Sequence, residues 1–433
     1  MEISTMKPAI VAIIASGAVV AIVLSLVFLS SSLEFGTGPP SPADTTPVSA
    51  LTSPDDSRPT IADPSLKAEL VADDLDFPTS MAFVDNNGTI LALEKNTGKV
   101  IMISGGVKKP ILELSVAKGA EQGLLGITVE GSTNHPPYVF LYLTEISPNG
   151  NNLLGNRIYR YEWDAANAAL VHPKLVLDLP AIPGPTHNGG KMTIGKNGEL
   201  FAVIGDLNRD GGPLGNKPSG EIDDTSVIIR MDVNGEPLPD NPFVSYGRRS
   251  MDYYYAYGIR NSFGLDVDPL TGVLWETENG PDRFDELNVV PAGFNSGWKK
   301  LTGPMSLSNV TQGDLFHLDG SKYADPVFSW RHSVGVTDIE FFTSDKLGDK
   351  YKDNIFVGDY NAGQLYYFKV NKDRNGVQTT GDLSDHIADS YDESLEARLG
   401  LFPGGIVDLE TGPDGYLYVL TFTGKVYRLV PSS

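Results

Sequence analysis

From about Leu66 to the carboxyl end, short apolar runs alternate with polar turns in a pattern that recurs six times. Each copy joins two apolar runs through a turn. The pairs are Met81–Phe83 with Thr89–Glu94, Gly123–Val129 with Tyr138–Glu145, and Gly190–Ile194 with Leu200–Asp206. They continue with Phe263–Val267 and Val273–Glu278, Thr337–Phe342 and Asn354–Asp359, and Ile406–Thr411 and Tyr416–Phe422. Runs this short are strands, and the turns at Asn87-Gly88, Asn197-Gly198 and Asp414-Gly415 carry the strongest hairpin signals. Several second strands are apolar on both faces, which suits a sheet stacked between two others. Further strands follow at Lys99–Ile103, Arg157–Trp163, Val227–Val233, Gln364–Val370 and Lys425–Val430. The pattern predicts an all-β, six-bladed β-propeller over residues 66–433; a large β-sandwich accounts poorly for six similar hairpins.

The amino end follows a different pattern. Ala9–Leu29 is 21 residues without a charge, long enough to cross about 30 Å of hydrocarbon. It predicts a transmembrane anchor within residues 1–32, with a cleaved signal peptide as the alternative. Lys7 before it and Glu34 after it orient the carboxyl side outward, so the expected localisation is membrane-anchored with an extracytoplasmic propeller. Residues 33–65, rich in Ser, Thr, Pro and Asp, read as a linker too polar to fold alone.

Composition narrows the function classes. The 433-residue chain is 41% hydrophobic, enough for a core, and its 46 Gly and 30 Pro residues favour a turn-rich β fold. A formal charge of −22 argues against nucleic-acid binding. The absence of cysteine excludes disulfides and thiol chemistry. The sequons at Asn87 and Asn309 are open to glycosylation.

Ligands of a propeller collect where the loops before the inner strands converge, so candidate chemistry recurs at equivalent loop positions. His187, in Thr186-His-Asn-Gly-Gly190, is suited to take a proton near neutral pH. Arg260 and Asn261, at the same place in the fourth copy, pair a fixed cation with an amide able to polarise a carbonyl or quinone oxygen. Gln122 stands before the second copy's inner strand. The segment Glu278-Asn-Gly280-Pro281-Asp282 with Asp285-Glu286 offers the hard oxygen ligands that Ca²⁺ prefers, without EF-hand spacing.

Taken in order, EQGLLG at 121–126, HNGG at 187–190, YGIRNSFGLDVDP at 257–269, TENGPDRFDELN at 277–288, GFNSGW at 293–298 and TGPDGYLYVL at 411–420 resemble the soluble quinoprotein glucose dehydrogenase and aldose sugar dehydrogenase family, also called the glucose/sorbosone dehydrogenase family. The resemblance implies a propeller enzyme that uses pyrroloquinoline quinone (PQQ) and Ca²⁺ to oxidise an aldose at its anomeric carbon to a lactone. It implies His187 as general base and Arg260 beside the charge developing on the quinone. Gln122 and Asn261 would bond the cofactor, and the Gly280 and Pro281 carbonyls would hold calcium. Glu286 matches an acidic position linked to further calcium near a subunit interface, which admits a homodimer. The partners so implied are a sugar and an unidentified electron acceptor.

The chain departs from this family at three cofactor-directed cations. Asn361 stands at a lysine position, and Gly405 and Val407 stand at arginine positions. Arg331 and His332, just before the fifth inner strand, are positioned to supply replacement charge. Two other readings therefore stay open beside the dehydrogenase: a catalytically silent propeller that binds a glycan, a protein or another small ligand, and a Ca²⁺ lactonase.

Overall fold

The inner strands of the propeller are short and largely apolar, and each hydrogen-bonds the second strand of its own hairpin. The structure, a computed structural model, describes residues 58–209 and 211–432. The first sheet runs through Pro78–Phe83, Ile90–Glu94, Lys99–Ser104 and Val107–Glu113. The second runs through Leu124–Glu130, Tyr138–Ile146, Leu153–Asp164 and Ala169–Leu179. Met192–Ile194, Leu200–Ile204, Val227–Met231 and Tyr254–Tyr257 form the third, and Ser262–Val267, Leu274–Glu278, Asp285–Val290 and Phe328–Trp330 the fourth. Val336–Phe342, Asn354–Asp359, Gln364–Val370 and Arg398–Leu401 form the fifth. The third, fourth and fifth sheets also gain short outer strands.

These five blades each draw all four strands from one continuous stretch of chain. The last sheet does not. Its strands Ile406–Thr411, Leu417–Thr421 and Val426–Pro431 are completed by Leu66–Ala72, paired antiparallel from Leu66 opposite Pro431. The expected six-bladed propeller is thereby corrected to five blades, with a composite four-stranded sheet that ties the two ends of the described chain together. The physical reason is that a ring of open sheets leaves an unpaired edge at each end unless the ends pair with one another.

Second strands lie between neighbouring sheets, which explains why they are apolar on both faces. Every residue of Ile90–Glu94, Leu200–Ile204, Asn354–Asp359 and Leu417–Thr421 is buried. The core is divided accordingly, each cluster lying between adjacent sheets, as where Trp275 and Leu287 meet Ile339, Phe341 and Tyr366. Removing one such side chain, Leu→Ala for example, costs about 2–5 kcal/mol.

Among the described residues no helix is long and apolar enough to cross a membrane. The anchor expected at Ala9–Leu29 lies outside the described residues, so the membrane-anchored localisation is corrected to one without structural support.

Candidate active site

In an antiparallel hairpin, the loop that leads into the first strand and the loop that leaves the second lie at one end. His187, Arg260-Asn261 and Glu121 all precede inner strands, while Lys95, Asp206 and Asn279-Gly280 follow second strands. They therefore share one rim of the propeller. The hydrogen bonds among them close the arrangement.

His187 is the best-defined group. Its backbone is left-handed (φ 59°), an uncommon state for a non-glycine residue, and its N–H donates to Glu121 Oε2 at 2.7 Å. Its Nδ1 lies 2.5 Å from Asp206 Oδ1, while Trp298 Nε1 donates to Asp206 Oδ2 at 2.8 Å and Asn208 N to Oδ1 at 2.7 Å. Burial alone would push the Asp206 carboxyl up, but the His187 contact and these donors hold it below its usual range. An ionised Asp206 keeps the proton on Nδ1, which leaves Nε2, with no partner among the described residues, as the basic nitrogen.

Arg260 and Asn261 stand beside it. The Arg260 backbone N–H donates to Glu278 Oε1 at 2.6 Å and its Nη1 to the Asn279 carbonyl at 2.9 Å. The guanidinium carbon lies 5.4 Å from the Trp298 ring centre, within cation–π range. Burial lowers the Arg260 pKa from its ordinary value without discharging it. Asn261 Nδ2 donates to Glu121 Oε2 at 3.0 Å. Arg260 Nε and Asn261 Oδ1 are both buried without a partner among the described residues. Adjacent orphaned donor and acceptor atoms are costly, and they mark a place where a polar ligand would complete the bonding.

Glu121, Asp206 and Trp298 thus do what the sequence alone did not assign to them. Asp206 closes the apolar run Leu200–Ile204 and Trp298 ends GFNSGW, so both were visible only as the ends of motifs. Gln122 is the neighbour that the sequence favoured, yet it is buried and packs against the Gly119 and Gly184 turns while Glu121 bonds His187 and Asn261.

The turn after Leu274–Glu278 is anchored by Asp285, which accepts from Gly280 N, Ser333 Oγ, Val334 N and Gly335 N at 2.6–2.9 Å. Among the described residues no donor reaches the Gly280 or Pro281 carbonyl. Glu286 does not join them. It lies opposite Glu278 in the strand pairing, where it accepts from Gly303 N at 2.5 Å and Asn288 Nδ2 at 3.1 Å. Glu276 lies one pair deeper, opposite Asn288, fully buried, with Ser262 and Asn288 the polar side chains that face its carboxylate. Burial and then the neighbouring charges raise this trio: Glu276 far above its usual range, Glu278 to about 8, and Glu286, by burial first, to about 7. Among the described residues no group of three or more His, Cys, Asp or Glu side chains is arranged to hold a metal ion.

The wall across the rim supplies no charge. Gly405 has φ +79°, and a Cβ there would lie 2.5 Å from the Tyr360 carbonyl oxygen, so this backbone admits no longer side chain. Val407 packs into the core beside Met81 and Leu420. Asn361 is exposed and reaches only the Ser333 carbonyl, at 3.5 Å. Arg331 does not replace them: it is held outside by Asp389, with Nη1 and Oδ1 2.6 Å apart and both side chains nearly half exposed. The carboxylate on the outer face outcompetes the channel for this guanidinium.

The family model for Glucose / Sorbosone dehydrogenase matches residues 75–428, and the chain belongs to that family. Aldose sugar dehydrogenase YliI of Escherichia coli (strain K12) is 26% identical over 378 residues, covering 85% of this chain and 93% of its own. Quinoprotein glucose dehydrogenase B of Acinetobacter calcoaceticus is 26% identical over 258 residues, 54% of this chain and 52% of that protein. The solved structure of the soluble aldose sugar dehydrogenase from Escherichia coli in the apo-form superposes with a TM-score of 0.66 at 25% identity, covering 84% of this chain and 99% of that one.

Proposed function

We propose that this protein is an aldose sugar dehydrogenase that oxidises the anomeric carbon of a sugar to a lactone with pyrroloquinoline quinone and calcium. The observation that carries the reading is the His187–Asp206 pair beside the orphaned Arg260 Nε and Asn261 Oδ1. The Arg260 Nε donor suits a carbonyl oxygen of a quinone and the Asn261 Oδ1 acceptor suits an N–H or O–H donor of the ligand, and the undonated Gly280 and Pro281 carbonyls suit a calcium ion completed by other oxygens. The quinone, when bound, would accept the hydride from the anomeric carbon.

The remaining work falls to the chain. His187 Nε2 takes the anomeric hydroxyl proton, and the resulting imidazolium is stabilised by Asp206. Arg260 holds fixed positive charge where negative charge develops, in a site from which burial excludes much of the water. Glu121 sets the relative placement of His187 and Asn261. The reaction balances: the sugar loses a proton to His187 and a hydride to the cofactor, and the anomeric carbon gains a C=O bond.

A silent ligand-binding propeller is the second reading, favoured by the uncharged wall of Asn361, Gly405 and Val407. Quinone titration separates the two. Quenching of protein fluorescence by the quinone with Ca²⁺ present, weakened in Arg260→Ala, supports the dehydrogenase; no quenching at micromolar quinone supports the silent propeller.

A further inference from the structure

The uncharged wall is not featureless. Phe77 leads into the inner strand Pro78–Phe83, Tyr360 leaves Asn354–Asp359 and Phe422 leaves Leu417–Thr421, so all three share the rim that holds His187. Their rings touch edge to face, Phe77 on Phe422 at 5.2 Å and Tyr360 on Phe422 at 5.0 Å between centres. The three positions belong to three different sheets, so the cluster is a product of the fold and not of one hairpin.

Two observations indicate that it serves a ligand. Phe77 is 38% exposed and Tyr360 is 40% exposed, so neither ring is spent on the core. Phe77 also holds a left-handed backbone at φ 48°, as His187 does at 59°. For a bulky residue that conformation is strained and persists only where the surrounding structure holds it. The Phe77 carbonyl is fixed by Lys95 N at 3.1 Å, the Tyr360 N–H by the Gly335 carbonyl at 2.8 Å and the Phe422 N–H by the Gly405 carbonyl at 2.9 Å. The platform is therefore rigidly mounted on the rim.

We propose that Phe77, Tyr360 and Phe422 form an aromatic subsite that binds a pyranose ring through its C–H face, with the Tyr360 hydroxyl at its polar edge. Aromatic rings combine a large apolar surface with a fixed geometry, and tyrosine adds a hydroxyl where one end of the ligand is wet. A neutral sugar face suits a wall whose Asn361, Gly405 and Val407 carry no charge, and the neighbouring Lys95 turns its ammonium to Asn96 Oδ1 at 3.1 Å. The subsite extends the proposed sugar-oxidising function and rests on it for the choice of a sugar. It makes the substrate class a neutral pyranose recognised mainly by ring stacking.

The test uses the full chain without quinone and reads binding by calorimetry or saturation-transfer NMR. The probes are an aldohexose and its methyl glycoside, which keeps the ring face but has no free anomeric hydroxyl to oxidise. Both are expected to bind. Phe77→Ala and Tyr360→Ala should each weaken the methyl glycoside roughly tenfold, and Tyr360→Phe and Phe77→Tyr, which keep the rings, should stay within about threefold. Glycoside affinity unchanged in both alanine variants overturns the inference, as does loss of binding in Phe77→Tyr. So does the absence of sugar binding at millimolar concentration with uptake of a carboxyl-free aromatic quinone instead. Ring-dependent glycoside binding without any sugar-driven dye reduction on adding quinone and Ca²⁺ would sink the dehydrogenase reading and leave the subsite standing.

Discussion

Asp206 grips His187 on one oxygen and Trp298 on the other, at 2.5 and 2.8 Å, so the imidazole is oriented by a carboxylate that is itself held in place. Asp206→Asn keeps the shape but lets the amide donate to Nδ1, which moves the basic lone pair away from the rim. Turnover should fall about 10²–10⁴-fold with little change in KM. Steady-state dye reduction reads both parameters. An unchanged turnover number would show that Asp206 does not control the tautomer.

Glu121 places a negative charge where the cofactor is expected, and Lys95 partly faces it, its own pKa lowered by burial. Glu121→Gln can still accept from His187 N and Asn261 Nδ2 through its amide oxygen while removing that charge. Affinity for the carboxylate-bearing quinone should tighten about three- to tenfold, the effect of relieving one like-charge contact. Equilibrium titration by fluorescence quenching measures it. Weaker binding would mean that Glu121 contacts the cofactor through its charge.

Along the channel axis Lys191 bridges Asp338 and Asp408 at 2.7 and 2.6 Å, all three buried. Burial works against the ammonium, but the surrounding carboxylates, Glu410 among them, hold it charged, its pKa raised well above the usual value. Lys191→Met leaves those carboxylates unpaired and should cost about 3–5 kcal/mol. Urea unfolding followed by fluorescence is the check. A loss below about 1 kcal/mol would mean that the carboxylates simply take up protons.

The legible part of this molecule is its repeat. Alternating runs such as Gly123–Val129 and Tyr138–Glu145 became strands at Leu124–Glu130 and Tyr138–Ile146, because strand pattern is local. Closure by Leu66–Ala72 on Val426–Pro431 was not legible, since that pairing spans nearly the whole described chain and leaves no local signal. In the site, His187, Arg260 and Asn261 stood out as polar residues before inner strands. Asp206, Trp298 and Glu121 did not, because their partners lie in other sheets and a hydrogen bond between sheets has no sequence spacing. Arg331 misled for the same reason: its position in the repeat pointed inward, while Asp389, distant in sequence, holds it outside. Arg331→Ala should therefore leave quinone affinity within about twofold of the unaltered chain, read by the same titration.

The buried Glu276, Glu278 and Glu286 make stability depend on pH. Their folded-state pKa values are raised, two of them to about 8 and about 7 from 4.5. The folded protein therefore keeps protons that the unfolded chain releases above about 4.5, and stability falls as pH rises from there toward 8. Glu276→Gln removes a fully buried carboxylate, so its Tm should exceed that of the unaltered chain at pH 8 and match it near pH 5. Thermal scans at the two pH values, without added metal, decide it; equal Tm differences at both would place the Glu276 charge elsewhere.

The central claim is that the His187 site oxidises sugars, and its most direct measurement is aldose-dependent reduction of an artificial dye by the full chain loaded with quinone and Ca²⁺. The account predicts turnover that needs both the quinone and the sugar and that falls by at least about 10²-fold in His187→Ala. Quinone bound at micromolar concentration with no sugar-driven dye reduction, or equal rates in His187→Ala, would contradict it.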